Sequence, residues 1–384
     1  MERTMQTISE EDGGVRADGG GCDDHADPMV SKGGCDPISG GGERDPNSEG
    51  LSQEFDLSAI DARLRARFER EEEEATRMTS EQREALKALL PEGQVLFDEP
   101  MSRHSPIGVG GPAEAYVEVA DEQELKCIME WADERGTDYR FWGAGSNTLV
   151  RDKGLGGLVI HLGKGFDHVV VEREDADCVY VSVGAAVSTP RLVRWCTDNG
   201  LSGVEPLAGI PGTVGGNILT NAGTSTGRIS DVVEEMTMVN RERRVLTFRK
   251  AALRFEYRQL RLPRTAAVIR VLLRLKRDDP HAVSGRVQEV MKGRQDSQPQ
   301  GVKSLGCVFR NPGKTSAGML IEDAGLKGVR VGGARISTVH ANFIVNENSA
   351  TSKDILVLMN LVRDRVKEQA GISLEPEIVV VGNK

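Results

Sequence analysis

Three observations predict an α+β fold. Across residues 115–276, short runs rich in β-branched and aromatic residues alternate with turn residues, and only two stretches have helical spacing. After Asp279-Pro280 the character changes to amphipathic helical patterns around shorter β-like runs, which marks a second, smaller α+β domain. The glycine-rich run Gly143-Ala144-Gly145-Ser146-Asn147 lacks G-x-G-x-x-G spacing, and 148–152 leads to another turn and strand rather than a helix, so a doubly wound dinucleotide fold is disfavoured.

Residues 1–50 hold eleven of the 44 glycines, twelve Asp or Glu against four Lys or Arg, and no Phe, Trp or Tyr. Such a segment cannot bury enough apolar surface to offset its chain entropy, so 1–55 is expected to be a disordered acidic Gly-rich tail. Residues 57–90 turn helical, with Ser58, Asp61 and Thr79 as candidate caps and the acidic run Glu71 to Glu74 on a solvated face, giving a helical extension over 56–92. The folded body starts near Gly93. Strands are expected at 115–119, 139–142, 158–160, 169–171, 179–183, 233–239 and 267–275, with helices at 122–135 and 189–199 that stop at Gly136 and Gly200. This larger unit spans 93–280. In 281–384, helices are expected at 283–294, 316–324 and 352–370, the last with Ile355, Leu358, Met359, Val362 and Val366 on one face, and β-like runs at 307–309 and 341–345.

At 384 residues, 38% hydrophobic and 28% charged, the chain is long enough for a sizeable core in two or three domains. A formal charge of −10 argues against nucleic acid as a partner and leaves room for local basic patches that hold a phosphorylated small molecule. The first twelve residues lack the apolar stretch of a signal peptide, and no run approaches the roughly 18 apolar residues of a bilayer span. A cytoplasmic, monomeric enzyme without membrane insertion is expected. The six cysteines (Cys22, Cys35, Cys127, Cys178, Cys196, Cys307) show no C-x-x-C spacing, so neither a zinc site nor a disulfide framework is suggested, and no metal is expected.

The chemistry concentrates in two glycine-rich runs. Gly143-Ala144-Gly145-Ser146-Asn147 and Ile210-Pro211-Gly212-Thr213-Val214-Gly215-Gly216-Asn217 lie between apolar segments and can present bare N–H groups and small hydroxyls to an anion with no Cβ in the way. Two such loops suit one pyrophosphate, whereas either alone reads equally well as a turn. With their surroundings they resemble a definite family: Phe141-Trp142-Gly143-Ala144-Gly145-Ser146-Asn147-Thr148-Leu149-Val150, Gly209-Ile210-Pro211-Gly212-Thr213-Val214-Gly215-Gly216-Asn217 and Asn221-Ala222-Gly223 are similar to the flavin-binding signature of the UDP-N-acetylenolpyruvoylglucosamine reductases, which make UDP-N-acetylmuramate for bacterial peptidoglycan. The resemblance runs from about Pro100 to the C-terminus. It implies a PCMH-type FAD-binding domain followed by a substrate-binding domain, with FAD as cofactor and NADPH as co-substrate. The FAD diphosphate and ribityl chain would then lie on Gly143, Ala144, Gly145, Ser146, Asn147, Gly209, Ile210, Pro211, Gly212, Thr213, Gly215, Gly216, Asn217, Asn221, Ala222 and Gly223.

Three further matches fall where that family keeps its chemistry. Phe255-Glu256-Tyr257-Arg258 resembles its Tyr-Arg element, Gly306-Cys307-Val308-Phe309-Arg310-Asn311-Pro312 its Gly-Ser-x-Phe-Lys-Asn-Pro element, and Leu374-Glu375-Pro376-Glu377-Ile378 its terminal Leu-Glu-Pro-Glu element. The implied substrate is an enol ether conjugated to a carboxylate. Hydride delivered to its terminal carbon pushes negative charge toward the carbon bearing the carboxylate, and a guanidinium can stabilise that charge, which assigns Arg258. A carboxyl kept protonated by its surroundings can donate to the enolate oxygen, the role the resemblance gives Glu377, with Glu375 the less favoured neighbour. Cys307 departs from the family's usual serine, the proton donor to the intermediate carbon; a thiol can do the same work and is the stronger acid, at the cost of exposure to oxidation. Ser304 is a weaker candidate.

By the same resemblance Arg310 and Asn311 contact the nucleotide diphosphate, while His340 reads equally as a ligand or as a packed residue. The 48 residues between Arg258 and Cys307 contain no Tyr, which resembles the family's form without a tyrosine-bearing lid loop. Two alternatives stay open: another PCMH-type flavin oxidoreductase, and a catalytically silent nucleotide-binding relative.

Overall fold

The computed structural model describes residues 77–383. The expected acidic tail and most of the helical extension, including Ser58 and Asp61, lie outside the described residues. The described end of the extension opens on Thr79. Its hydroxyl accepts from the Gln82 N–H at 3.2 Å while the Gln82 side chain accepts from the Thr79 N–H at 2.8 Å, a reciprocal cap that starts the helix Ser80–Lys87.

A first sheet has four strands in the order Val95–Pro100, Pro112–Val119, Leu155–Leu162, Tyr139–Trp142. The last three run parallel and the first is antiparallel to its neighbour. Parallel strands need a crossover, and the helix Glu122–Glu134 supplies it. Asp121 caps that helix by accepting from the Gln123 and Glu124 N–H groups. Its apolar face buries Leu125, Ile128, Met129 and Trp131 against Val117, Leu158 and Ile160.

A second, antiparallel sheet orders Val245–Arg249, Val233–Val239, Ala267–Arg277, Val179–Gly184 and Val169–Glu174, and Leu201–Ser202 pairs with the end of its long central strand. The helix Thr189–Asp198 closes the core with Leu192, Val193 and Cys196. The helix Pro280–Ser297 packs on the same core through Val287, Val290 and Met291. The helix that opens the C-terminal part of the sequence is thus attached to the second sheet, which bears on Arg294 below.

A third sheet orders Lys303–Cys307, Phe343–Asn346, Ala334–Ile336 and Arg330–Val331, all antiparallel. The helices Ala317–Asp323 and Ser352–Ala370 share a core with it that includes Phe309, Ile321, Ile344, Leu358 and Val362. Its ties to the first sheet are specific. The Asp152 carboxylate accepts from the N–H groups of Ser352 and Lys353 at 2.8 and 3.1 Å, at the start of the long helix. The last strand, Val379–Val381, pairs in parallel with Thr148–Val150, immediately after the first glycine run. The chain's final segment is thereby returned to the glycine loops. Among the described residues no helix is long and apolar enough to cross a membrane.

Candidate active site

The two glycine runs face each other at contact distance. A Cβ on Gly143 would lie 2.6 Å from Thr213 Oγ1, and one on Gly212, at φ +117°, would lie 2.9 Å from Ser146 Oγ. Ser146 Oγ donates to the Pro211 carbonyl at 3.4 Å, joining the two runs. The second run is not a loop throughout: Thr213 caps the helix Val214–Leu219, so Gly215, Gly216 and Asn217 lie in helical turns. Two glycines among its first three residues hide this helix from pattern reading.

The pairing of backbone donors decides what the runs can hold. Val214 and Gly215 donate to the carbonyls of Val187 and Ala185 at 2.8 and 2.9 Å. The N–H groups of Ala144, Gly145, Ser146, Asn147, Gly212 and Thr213 find no acceptor among the described residues. Beside them runs a cleft walled by Trp142, Gly143, His161, Ala185, Thr213, Gly216 and Ala267. Convergent bare N–H groups beside a mainly apolar slot fit the diphosphate and ring portions of FAD.

The three asparagines expected at the cofactor also tie the runs to distant segments. Asn147 Nδ2 donates to the Glu377 carbonyl at 3.2 Å, and buried Asn217 Nδ2 donates to Thr189 Oγ1. Asn221, at φ +43°, donates from Nδ2 to the Glu256 carbonyl at 2.9 Å. Its Oδ1 is buried without a partner.

Arg258 occupies the two-residue turn of the hairpin Phe255–Glu256 and Gln259–Leu260. It sits at φ +58°, a left-handed conformation that costs a non-glycine residue about 1 kcal/mol. The turn aims the side chain inward: Nη1 donates to the Gly223 carbonyl at 2.7 Å, and Nε lies 3.1 Å from Glu377 Oε1 but out of line for a hydrogen bond. The hairpin, the Asn221-Ala222-Gly223 turn and the C-terminal segment therefore meet at one guanidinium.

Glu377 is clamped at both ends of its backbone, since its N–H donates to Val308 at 2.7 Å while its carbonyl takes the Asn147 bond. Its side chain is 18% exposed. Burial pushes the carboxyl above the ordinary carboxylate range, and Arg258 and Arg310 pull it back only in part. Glu375, by contrast, is exposed, and its carbonyl accepts from the Arg310 N–H at 2.9 Å.

Cys307 ends the strand Lys303–Cys307, where Gly306 at φ +77° and a break in register set it off from the regular ladder. Burial pushes the thiol up to about 11, Glu377 adds to the shift, and Arg258 and Arg294 oppose it. The group is therefore a protonated thiol across the neutral range, able to donate and poorly reactive as a nucleophile. Asn342 holds the segment that follows: its Oδ1 accepts from the Phe309 N–H at 2.9 Å and its Nδ2 donates to the Phe309 carbonyl at 2.8 Å.

Of the substrate candidates, Arg310 keeps Nε buried and unpartnered near Glu377. Asn311 Oδ1 accepts from the Ala317 N–H at 2.9 Å and so secures the start of the helix Ala317–Asp323. His340 stands against Gly318 and tilts on Phe343, with ring centroids 5.0 Å apart; its Nδ1 accepts from the Asn342 N–H at 3.2 Å, and burial lowers its pKa. Of its two readings, packing is the one these contacts favour. Sequence reasoning missed Arg294, on the helix Pro280–Ser297. A Cβ on Gly209 would lie 3.0 Å from its Cδ, and its charge is felt at both Cys307 and Arg258. An arginine on an amphipathic helix reads as a solvated residue, and nothing in the local pattern marks this one. With Arg258, Arg294 and Arg310 around one carboxyl whose pKa burial raises, the cluster has surplus positive charge and suits an anionic ligand.

Comparison with known proteins agrees with this geometry. Residues 113–249 match the family model of an FAD binding domain, and residues 298–381 match that of the C-terminal domain of UDP-N-acetylenolpyruvoylglucosamine reductase. The chain is 40% identical over 297 residues to the UDP-N-acetylenolpyruvoylglucosamine reductase of Desulfosudis oleivorans, covering 75% of this chain and 95% of that protein. It is 39% identical over 292 residues to that of Geobacter metallireducens, covering 76% and 95%. The crystal structure of the UDP-N-acetylenolpyruvylglucosamine reductase of Thermus caldophilus superposes with a TM-score of 0.66 at 38% identity, over 75% of this chain and 98% of that one. A PCMH-type FAD-binding domain joined to this C-terminal domain, at that identity over nearly whole relatives, means that the chain belongs to the UDP-N-acetylenolpyruvoylglucosamine reductase family.

Proposed function

We propose that this chain reduces UDP-N-acetylglucosamine enolpyruvate to UDP-N-acetylmuramate, with FAD on the two glycine runs and NADPH as reductant. The observation that carries the reading is the convergence of Arg258, a carboxyl pushed toward its neutral form at Glu377 and a protonated thiol at Cys307, next to a cradle of bare N–H groups. Bound FAD supplies the hydride, taken from NADPH and given to the methylene carbon of the enolpyruvyl group.

The residues do the rest. As charge develops on the substrate carboxylate, the Arg258 guanidinium stabilises it and protonated Glu377 donates a hydrogen bond to the enolate oxygen. One such donor is typically worth 10² to 10³ in turnover. The Cys307 thiol then gives its proton to the carbon bearing the carboxylate and recovers one from water, so that hydride and proton together saturate the double bond. A thiol near 11 remains a far stronger acid than a serine hydroxyl, so replacement of the family's usual serine preserves the proton donor. Arg310 and Asn311 face the nucleotide diphosphate in this reading. Flavin binding is assigned to 93–280 and substrate binding to 281–384, with the terminal segment returning Glu377 to the flavin side. The protein acts as a cytoplasmic monomer on small molecules, with no nucleic-acid partner.

The test is the anaerobic visible spectrum of the FAD-loaded protein. The flavin band should bleach with NADPH and return when UDP-N-acetylglucosamine enolpyruvate is added. A band that bleaches and stays bleached refutes the substrate, and absence of bound flavin after FAD loading refutes the whole reading.

A further inference from the structure

The proposed mechanism leaves one half-buried cation of the site unused. The Arg294 side chain crosses the face of Gly209, where a Cβ would come 3.0 Å from its Cδ and 3.1 Å from its Nε, so the glycine at 209 is what lets this side chain into the site. Gly209 itself is at φ +72° and belongs to the second cofactor run. The helix that carries Arg294 is fixed to the second sheet by Val287, Val290 and Met291. Among the described residues Arg294 has no carboxylate partner, and burial depresses its pKa. A partly desolvated guanidinium without a counter-ion is less favourable than one that an anion pairs with during the protein's work. Its electrostatic neighbours are the Cys307 sulfur and Arg258. Glu377 pairs with Arg258 and responds to Arg310, whereas the Arg294 charge is felt at the Cys307 sulfur, as that of Arg258 is too.

We propose that Arg294 binds the carboxylate of the enolpyruvyl substrate from the side opposite Arg258, so that the developing dianion is held between two guanidinium groups. The inference rests on the functional reading above, because the carbon that Cys307 protonates is the one bearing that carboxylate. An anion attached one bond from that carbon lies against the sulfur and within reach of a guanidinium beside it. The rival ligand is a diphosphate, which both NADPH and the UDP sugar carry. The two ligands give different kinetics. A carboxylate contact matters only when the enolpyruvyl compound is bound, while a diphosphate contact matters in both half-reactions.

The experiment uses FAD-loaded wild type, Arg294→Met and Arg294→Lys, with the two half-reactions followed separately by anaerobic stopped flow. In the Met variant, flavin reduction by NADPH should stay within about threefold of wild type while reoxidation by UDP-N-acetylglucosamine enolpyruvate slows about 100-fold, the loss typical of one charge-stabilising donor. The Lys variant should recover about tenfold of that loss, since it keeps the charge without the planar fork. A second readout needs no turnover. Oxidised wild type should bind UDP-N-acetylmuramate more tightly than UDP-N-acetylglucosamine, which lacks the carboxylate, and Arg294→Met should lose that preference. Equal slowing of both half-reactions overturns the proposal in favour of a diphosphate site, and no slowing of either overturns it outright. If the Met variant does not fold, Arg294→Lys and Arg294→Gln carry the same comparison, checked by FAD content and thermal melting. Wild type that is reduced but never reoxidised refutes the functional reading and this inference together. Normal wild type with an unaffected Met variant refutes the inference alone.

Discussion

The two glycine runs and the cluster of Arg258, Cys307 and Glu377 touch through the Asn147 to Glu377 bond, yet they are built by opposite means. The runs work through backbone: the N–H groups from Ala144 to Asn147 and those of Gly212 and Thr213 are left bare, and Gly143 and Gly212 are required because the opposing run fills the space a Cβ would take. The cluster works through side chains delivered from a hairpin turn, a strand end and the C-terminal segment. Its protonation is set by burial and by the balance among neighbouring charges. Cofactor holding is thus a local, steric property, whereas the chemistry is a tertiary, electrostatic one. The first should fail under small additions of volume at any pH, and the second under loss of charge or change of protonation with the cofactor retained.

Gly143→Ala should break the comparison most severely, because the new methyl collides with Thr213 Oγ1 and forces the runs apart. FAD affinity should fall by at least about 100-fold, on the order of 3 kcal/mol, read from the flavin-to-protein absorbance ratio, while far-UV circular dichroism stays native. Full flavin retention would show that the runs need not touch. Next in size is Arg258→Met, which should keep its flavin and lose about 10² to 10³ in turnover. Flavin loss in that variant would mean that Arg258 belongs to the cradle through its Gly223 bond rather than to the chemistry.

The smallest effect sharpens the electrostatic side. In the proposed mechanism Glu377 acts in its protonated form, and burial raises its pKa. Turnover should therefore fall as pH rises through that raised value, and Glu377→Gln, which keeps a hydrogen-bond donor, should remove this limb at a loss of roughly tenfold or less. Folding stability follows the same sign. A carboxyl whose folded pKa is raised contributes stability that is complete below the ordinary carboxylate range and is lost as pH climbs through the raised value. Thermal melts of wild type and Glu377→Gln across that window should converge toward acid pH and separate, with the variant the more stable, toward neutral pH.

Much of the fold was legible because buried faces impose their period. The strands Tyr139–Trp142 and Val233–Val239 and the helix Ser352–Ala370 stand where the apolar spacing places them. The strand Val245–Arg249 lies at a sheet edge with alternating exposed positions, so too few apolar residues mark it. The helix Val214–Leu219 is hidden by its glycines. In the candidate site, the structure brings together residues that continuous motifs mark, with Glu377 half-buried beside Arg258 and Glu375 exposed. Arg294 could not be read from the sequence, because only the approach of its helix to Gly209 gives it a place there. Nor could the structural duties of Asn147, Asn217 and Asn221, whose partners lie between 28 and 230 residues away along the chain.

The central claim is that a thiol does the work of the family's usual serine, and comparison of Cys307→Ala with Cys307→Ser tests it most directly. Each variant is reduced anaerobically with NADPH and then mixed with UDP-N-acetylglucosamine enolpyruvate. Both should be reduced at the wild-type rate. Alanine should slow formation of UDP-N-acetylmuramate by about 10² or more, and serine should restore most of it. An alanine variant that forms product as fast as wild type would contradict the account and place the proton donor elsewhere.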